Sequence, residues 1–276
     1  MGVSRVRKNG TDSGLDSNRS VASSTPGLAG TGHGDARGRV DNGNRRREGS
    51  AGYKTGFVEG EYQDAGIRGL CCVFGRRGSG KTTRAKWLVR GARRIVVFDP
   101  MACCSDLKFQ IVSQPGALRK ILAGAGKKGV IHVVYQPKGG DLVEHWEHVA
   151  WMCIAAANLI LMCDEVDSIC SSGSAKDSNS DYWKKFKRKP ALDHIVNFGR
   201  HAPVAFLGIS RAPQDVWRRL RGQSERMLVF SMDDDLEMDA LRSRLGRQVE
   251  QLPGLGKYQY LDWRDDGSVS IEGGKL

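Results

Sequence analysis

The residues best suited to chemistry lie in one short stretch, GRRGSGKTT, from Gly75 to Thr83. Its spacing matches the pattern G-x-x-x-x-G-K-[ST], with Gly75, Gly80, Lys81 and Thr82 at the fixed positions. In such a loop the glycines let backbone N–H groups approach anionic oxygens at the positive end of the following helix. The chain contains 35 glycines, so the string is weak evidence unless its surroundings also fit.

Each residue of this loop has an expected role in binding a nucleoside triphosphate. Lys81 would reach the β- and γ-phosphates, and the Thr82 hydroxyl would coordinate the Mg²⁺ ion that bridges the same phosphates. The residues expected to bind the nucleotide through this loop are Gly75, Gly78, Ser79, Gly80, Lys81, Thr82 and Thr83.

A pair of carboxylates could supply the acidic groups that a nucleotide hydrolase needs besides the phosphate loop. Asp164 and Glu165 directly follow the apolar run NLILMC, which is predicted to contain a buried strand over Leu159–Cys163. Asp164 would hold the Mg²⁺ shell, and Glu165 would orient or deprotonate an attacking water. The two motifs together predict hydrolysis of a nucleotide bound with Mg²⁺. A switch GTPase or a small-molecule kinase would also use this loop. The sequence has no N-K-x-D string that reads guanine, and a glutamate after the aspartate is typical of ATPases that do mechanical work, so the predicted cofactors are ATP and Mg²⁺.

The elements around these motifs alternate between strands and helices. The apolar run LCCVF leads directly into the glycine loop, and Ala85, Leu88 and Val89 follow it at helical spacing. This alternation predicts an α/β fold with a mostly parallel sheet flanked by helices. The predicted strands are Leu70–Phe74, Arg94–Pro100, Gly129–Pro137, Leu159–Cys163, Pro203–Ser210 and Arg226–Met232, followed by a C-terminal hairpin of KYQYLDW and SVSI.

A long helix is predicted to begin after Asp141, with Glu144 at the capping-box position. Its inward stripe is predicted to be Leu142, Trp146, Val149 and Cys153, and its outward face Glu144, His145, Glu147 and His148. The two histidines lie three apart without a third ligand nearby, so we interpret them as part of a solvated face.

The composition divides the chain into two parts. Residues 1–52 contain almost no large apolar side chains and are predicted to be a disordered basic arm, and residues 53–276 are predicted to form the ATPase domain. Lysine and arginine number 43 against 31 acidic residues, and this net charge of +12 favours a polyanionic partner. The run NRRREGS in the arm could contact nucleic acid or be a solvated tail.

The sequence indicates a cytoplasmic protein. Its seven cysteines form no C-x-x-C pair and most lie in apolar runs, as expected of buried, reduced thiols. The first ten residues have no apolar core of a secretory signal. The longest apolar stretch, Val149–Cys163, is shorter than the roughly 20 residues of a membrane helix and is interpreted as a helix end followed by a strand.

From Gly69 onward the chain resembles the FtsK/HerA superfamily of ring-forming, DNA-pumping P-loop ATPases. It is most similar to the small packaging ATPases of tailless, membrane-containing viruses. The resemblance rests on GRRGSGKTT, VVFDP, VVYQP, NLILMCDEVD, the longer string IVNFGRHAPVAFLGISRAPQDV and the closing hairpin. It implies a P-loop NTPase fold of the RecA/FtsK–HerA type, with GRRGSGKTT as Walker A and Asp164 with Glu165 as Walker B.

The resemblance also implies residues that sense and stabilise the phosphate. Ser210 and Arg211 occupy the sensor position, although Arg211 stands where the family has glutamine, and Gln214 could substitute. In a ring the neighbouring subunit supplies an arginine to the developing negative charge. Arg200 is the first candidate for this catalytic arginine and Arg211 the second; either could instead be a surface arginine of a basic protein.

One basic segment, DYWKKFKRKP, is a candidate for gripping DNA. It interleaves aromatic and cationic side chains, which contact phosphates whatever the base sequence. The alternative is a solvated loop that covers the domain. The residues expected to bind DNA are Lys184, Lys185, Phe186, Lys187, Arg188 and Lys189.

The function implied by the resemblance is an ATP-driven translocase that pumps double-stranded DNA into a viral capsid. Its expected partners are duplex DNA, further copies of itself in a ring of six and a capsid vertex or portal protein, in the host cytoplasm or with the virion. A plasmid-mobilisation or DNA-partition motor is an alternative within the same chemistry, and the assembly NTPases of filamentous phages are a third resemblance. A nucleotide-dependent DNA-binding scaffold with negligible turnover is the alternative from another class.

Overall fold

The computed structural model describes residue 67 and residues 69–170, 190–198 and 204–274. Three sets of predictions fall outside these ranges: the basic arm over residues 1–52, the DNA-binding segment from Lys184 to Lys189, and Arg200. The division of the chain at residue 52 therefore stays a prediction.

Nine strands and six α-helices alternate along the described residues. The helices are α1 Lys81–Val89, α2 Pro115–Ala125, α3 Leu142–Ala156, α4 Ala191–Phe198, α5 Arg218–Gln223 and α6 Asp235–Leu245. The strands are β1 Leu70–Phe74, β2 Arg94–Phe98, β3 Gln110–Val112, β4 Ile131–Tyr135, β5 Leu159–Cys163, β6 Val204–Ser210, β7 Arg226–Phe230, β8 Gln259–Arg264 and β9 Val269–Gly273.

All nine strands belong to one sheet with the order β3-β4-β2-β5-β6-β1-β7-β8-β9. The strands from β3 to β7 in this order are parallel, whereas β8 and β9 pair antiparallel as a hairpin. The predicted parallel sheet and C-terminal hairpin are thus confirmed. Because β6 lies between β1 and β5, the loops that follow these three strands leave the sheet side by side at its carboxyl edge.

The core consists of two layers, one on each face of the sheet. Along β1, Cys72 and Phe74 pack into the layer that contains α3, while Cys71 and Val73 pack into the layer that contains α1. Every residue of β1, β2, β5 and β6 is buried, as expected of central strands that are covered on both faces. This double cover explains why these strands are continuous apolar runs in the sequence.

The predicted outward face of α3 is wrong at Glu147. Its side chain is 2% exposed, its carboxylate accepts the backbone N–H of Ala191 at 3.0 and 3.1 Å, and Trp151 Nε1 donates to it at 3.1 Å. The helix packs against both α2 and α4, so its buried surface is wider than a single stripe. His145 is half-buried and bonded to the Tyr135 hydroxyl at 2.6 Å, whereas His148 is exposed as predicted.

The burial of the cysteines and the division of the longest apolar stretch agree with the sequence predictions. The structure contains seven free cysteines, and five of them are buried: Cys71, Cys72, Cys104, Cys153 and Cys163. The apolar stretch from Val149 to Cys163 is the end of α3 followed by β5. No helix within the described ranges combines the length and the apolar character that crossing a membrane requires.

Candidate active site

The loop between β1 and α1 has a backbone that depends on glycine. Gly75, Gly78 and Gly80 have φ angles of +148°, +78° and +99°, a region that side-chain-bearing residues rarely adopt. A Cβ at Gly75 would lie 2.6 Å from Phe230 Cβ, whereas a Cβ at Gly78 would meet no heavy atom within 4 Å. Gly75 is therefore fixed by packing as well as by conformation, and Gly78 by conformation.

Lys81 lies at the start of α1 and reaches back into the loop. It is 8% exposed, and its Nζ donates to the carbonyl oxygen of Arg76 at 2.9 Å. Burial lowers the pKa of Lys81, and the charges of Glu165 and Asp164 partly oppose that shift. The lysine is therefore electrostatically coupled to the acidic pair predicted to work with it.

The loop has features that fit a bound triphosphate. Ser79 Oγ is buried without a hydrogen-bond partner, so it can donate to an anionic oxygen. Thr82 is half-buried and Thr83 is exposed on the first turn of α1. The Thr82 hydroxyl and the Asp164 carboxylate are oxygen donors of the type that Mg²⁺ prefers.

Asp164 and Glu165 follow β5 at the carboxyl edge of the sheet. The Asp164 N–H donates to Phe98 O at 3.1 Å, and its side chain is 4% exposed. Burial raises the pKa of Asp164 to about 6, with smaller contributions from the negative charges of Glu165 and Asp99. Glu165 has a left-handed backbone, with φ +55°, which is uncommon for a residue with a side chain.

Ser210 ends β6, the strand that lies between β1 and β5, and Arg211 directly follows it. Ser210 lies opposite Phe74 of β1 in the sheet register and is 1% exposed. Arg211 Nε lies 3.4 Å from Glu165 Oε2, an ion pair that lacks the geometry of a hydrogen bond. The predicted catalytic glutamate thus faces an arginine of its own chain.

Gln214, the predicted substitute for the family's glutamine, lies in a short 3₁₀ turn over Pro213–Asp215. Its Oε1 is buried and has no hydrogen-bond partner. A buried amide oxygen without a donor is a site where a bound ligand or water can complete the hydrogen bonding.

A pocket of about 200 Å³ adjoins the loop and escaped the sequence analysis. Arg76, Gly78 and Ser79 line one side of it, and residues from Leu255 to Gln259 line the other. Tyr258 stands there with φ +66°, and Lys257 Nζ lies 4.9 Å from the centre of its ring. A larger groove of about 850 Å³ lies between α2 and α3 and contains none of the predicted site residues.

Asp99 is a second residue that the sequence analysis missed. It follows β2, next to Asp164, and it is completely buried. Its carboxylate accepts the N–H groups of Cys103 and Cys104 at 2.8 and 2.9 Å and the Gln136 amide at 3.0 Å. The signal that could have found it is a carboxylate directly after the buried run VVF, as at Asp164.

Comparison with solved structures adds evidence about the fold. No protein-family model matches the sequence, and no curated protein matches it. The genome packaging NTPase B204 from Sulfolobus turreted icosahedral virus 2, in complex with ATP-gammaS, matches with a TM-score of 0.59 and 16% identity over 76% of this chain and 98% of that chain. The DNA-packaging ATPase B204 from Sulfolobus turreted icosahedral virus matches with a TM-score of 0.57 and 16% identity over 76% and 99%.

The structure of the first NTPase in complex with AMPPCP matches equally well, with a TM-score of 0.59 and 15% identity over 76% of this chain and 99% of that one. Identities this low are informative about the fold alone. The chain therefore shares its fold with these packaging NTPases, a mostly parallel sheet flanked by helices that closes with an antiparallel hairpin.

Proposed function

We propose that this protein is a Mg²⁺-dependent ATPase that translocates double-stranded DNA. The observation that carries the proposal is convergence: Lys81, Asp164, Glu165 and Ser210 come from three separate segments of the chain and meet at one edge of the sheet. Phosphate binding and activation of water need these residue types close together.

Each residue of the site then has a task. Lys81 and the N–H groups from Gly75 to Gly80 would hold the phosphates, and Thr82 with Asp164 would hold the metal. Bound Mg²⁺ supplies neutralisation of the phosphate charge. Glu165 orients and deprotonates the attacking water, and Ser210 contacts the terminal phosphate as a sensor. Glu165 must leave its ion pair with Arg211 to do so; the pair is half-exposed on the arginine side and therefore weak.

Ring formation completes the proposal for the catalytic site. Because Arg211 pairs with Glu165 of its own chain, Arg200 is the better candidate for the arginine that a neighbouring subunit supplies. A ring of six copies would then have a composite site at each interface.

Duplex DNA is the proposed substrate of the motor. The net charge of +12 and the cationic segment from Lys184 to Lys189 support contact with phosphates that is independent of base sequence. The likeness to packaging NTPases supports a viral capsid as the destination, with a capsid vertex or portal protein as the docking partner in the host cytoplasm. Plasmid mobilisation and DNA partition would use the same chemistry.

The substitution Glu165→Gln tests the assignment of the base. The amide keeps the shape of the side chain but cannot take a proton, so we expect ATP to bind and turnover to fall at least about 100-fold. Nucleotide binding is measured by calorimetry and turnover by phosphate release. The control is Glu250→Gln, because Glu250 is a surface carboxylate paired with Arg242.

Two outcomes would contradict the proposal. Turnover that is unchanged in Glu165→Gln would remove Glu165 from the chemistry. If Glu165→Gln lost turnover but kept DNA binding and biological activity, the protein would be a nucleotide-dependent scaffold and not a motor.

A further inference from the structure

Three potential metal ligands meet beside the proposed ATPase site. A carboxylate oxygen of Asp99, Cys104 Sγ and a carboxylate oxygen of Asp164 lie within 4.8 Å of one another, and all three residues are buried. Two oxygens and one sulfur form a mixed donor set, which differs from the all-oxygen set of a magnesium site.

The fold brings the two carboxylates together through the sheet register. Phe98 of β2 lies opposite Cys163 of β5, so Asp99 and Asp164 are the next residues on adjacent parallel strands. The Asp164 N–H donates to Phe98 O and continues this pairing by one step. The backbone therefore places the two carboxylate-bearing residues side by side at the ends of neighbouring strands.

Asp99 also brings the thiol to the cluster. Its carboxylate accepts the backbone N–H groups of Cys103 and Cys104, so the loop after β2 turns back over the end of its own strand. This turn directs the Cys104 side chain inward, where it is completely buried, while Cys103 is exposed. The two neighbouring cysteines thus have opposite environments.

The cluster contains two carboxylates and a thiol, and no positively charged side chain of the described residues is bonded to it. Within the described residues no hydrogen bond of the Cys104 thiol is found, although the thiol is fully buried. The two nearby lysines are engaged elsewhere: Lys81 Nζ donates to Arg76 O, and Lys86 Nζ donates to Cys103 O and Asp106. A buried thiol without a partner beside two carboxylates is a setting that a cation would stabilise.

We propose that Asp99, Cys104 and Asp164 form a binding site for a thiophilic divalent cation such as Zn²⁺ or Cd²⁺. Ligand atoms up to 4.8 Å apart share a centre within about 2.8 Å of each, so shifts of roughly 0.5–0.8 Å reach the usual Zn–S and Zn–O distances. The Cys104 thiol loses its proton to solvent as the metal–sulfur bond forms, and water completes the coordination. No electron transfer is involved.

Cation binding here would compete with ATP hydrolysis. Asp164 is also the proposed Mg²⁺ ligand, so a cation that takes its carboxylate into the Cys104 site removes it from the nucleotide site. This inhibitory consequence rests on the proposed function, whereas cation binding itself does not.

The test is a titration of the full, reduced chain with Cd²⁺ in the absence of nucleotide. Cadmium bound to a thiolate gives a charge-transfer absorption band in the ultraviolet. We expect a band that saturates at one Cd²⁺ per chain, that is lost in Cys104→Ser and that is kept in the matched control Cys103→Ser. Asp164→Asn, which leaves the thiol in place, is expected to weaken binding at least tenfold.

The proposal is overturned if the band persists in Cys104→Ser, disappears in Cys103→Ser or is absent from the wild type. It is equally overturned if Asp164→Asn binds Cd²⁺ as tightly as the wild type. Circular dichroism establishes that each variant is folded before it is titrated.

A second measurement separates the two proposals. Zn²⁺ is expected to inhibit ATP turnover of the wild type and Cys103→Ser at concentrations that leave Cys104→Ser active. A chain that shows the cadmium band but no ATPase activity would keep the cation site and reject the proposed function. Equal inhibition of Cys103→Ser and Cys104→Ser would overturn the proposed competition at Asp164.

Discussion

Asp164 combines two properties that oppose each other at neutral pH. Its side chain is only 4% exposed, whereas a carboxylate that binds a metal must be ionised. Burial raises the pKa of Asp164 from 3.8 to about 6, so the unliganded folded protein disfavours the charged form. The residue that we propose as a cation ligand therefore lowers the stability of the metal-free protein at neutral pH.

The substitution Asp164→Asn is expected to stabilise the metal-free protein at pH 7.5. The pKa of Asp164 is higher in the folded state than in the unfolded state. The stability contributed by protonated Asp164 is therefore fully present below about pH 4 and is lost as the pH rises through 6. The amide mimics the neutral acid, so we expect a gain of roughly 2–3 kcal/mol at pH 7.5 and almost none at pH 4. Urea unfolding in EDTA measures both values.

The control for this prediction is Asp106→Asn, a surface carboxylate paired with Lys86. A change within about 0.5 kcal/mol is expected there at either pH. A stability of Asp164→Asn equal to or below that of the wild type at pH 7.5 would contradict the account of Asp164.

At the level of elements, the buried Glu147 connects two helices. It extends from α3 and accepts the N–H of Ala191, the first residue of α4. The first N–H groups of a helix have no partner within the helix, so this carboxylate acts as a cap supplied from another element. The contact therefore anchors the start of α4 to α3.

Glu147→Ala is expected to lower the free energy of unfolding by roughly 2–3 kcal/mol, because the buried N–H of Ala191 would lose a charged acceptor. Glu147→Gln keeps an acceptor oxygen without the charge, so a smaller loss is expected. Chemical denaturation of the three proteins at pH 7.5 provides the comparison. Equal stability of all three would show that Glu147 has no capping role.

The sequence predicted the elements of this fold better than their surroundings. Buried parallel strands are continuous apolar runs, so β1, β2, β4, β5, β6 and β7 could be located. Strand β3 was missed because Gln110–Val112 has three residues, two of them exposed. Glu147 was misplaced because helical periodicity treats a charged residue as solvated, and its partner Ala191 lies 44 residues away.

The same limit applies to the site. The string GRRGSGKTT could be identified as a candidate phosphate loop because it is local, with a strand before it and a helix after it. The ion pair between Arg211 and Glu165 and the pocket beside Tyr258 depend on which strands are neighbours in the sheet. Sheet order is set by tertiary packing, and no local pattern encodes it.

For the whole molecule, the proposed ring requires two chains to complete each site. Lys81→Ala and Arg200→Ala should each be inactive alone, because one lacks the phosphate contact and the other the arginine supplied to its neighbour. Mixed subunits should regain activity, up to about a quarter of the wild-type rate, where an intact Lys81 meets an intact Arg200.

The control mixture is Lys81→Ala with Asp164→Asn. In the proposed ring, Lys81 and Asp164 of one site come from the same subunit. Every subunit in this mixture therefore carries one of the two defects in its own site, and mixing repairs none of them. Recovery in this mixture, or no recovery in the first, would contradict an arginine supplied between subunits.

The most direct test of the central proposal is the ATPase rate with and without long duplex DNA, for the wild type and Lys81→Ala. A translocase is expected to hydrolyse ATP several-fold faster on DNA, and Lys81→Ala to be inactive in both conditions. Wild-type turnover that is the same with and without DNA would contradict DNA translocation, and turnover in Lys81→Ala equal to the wild type would contradict the site itself.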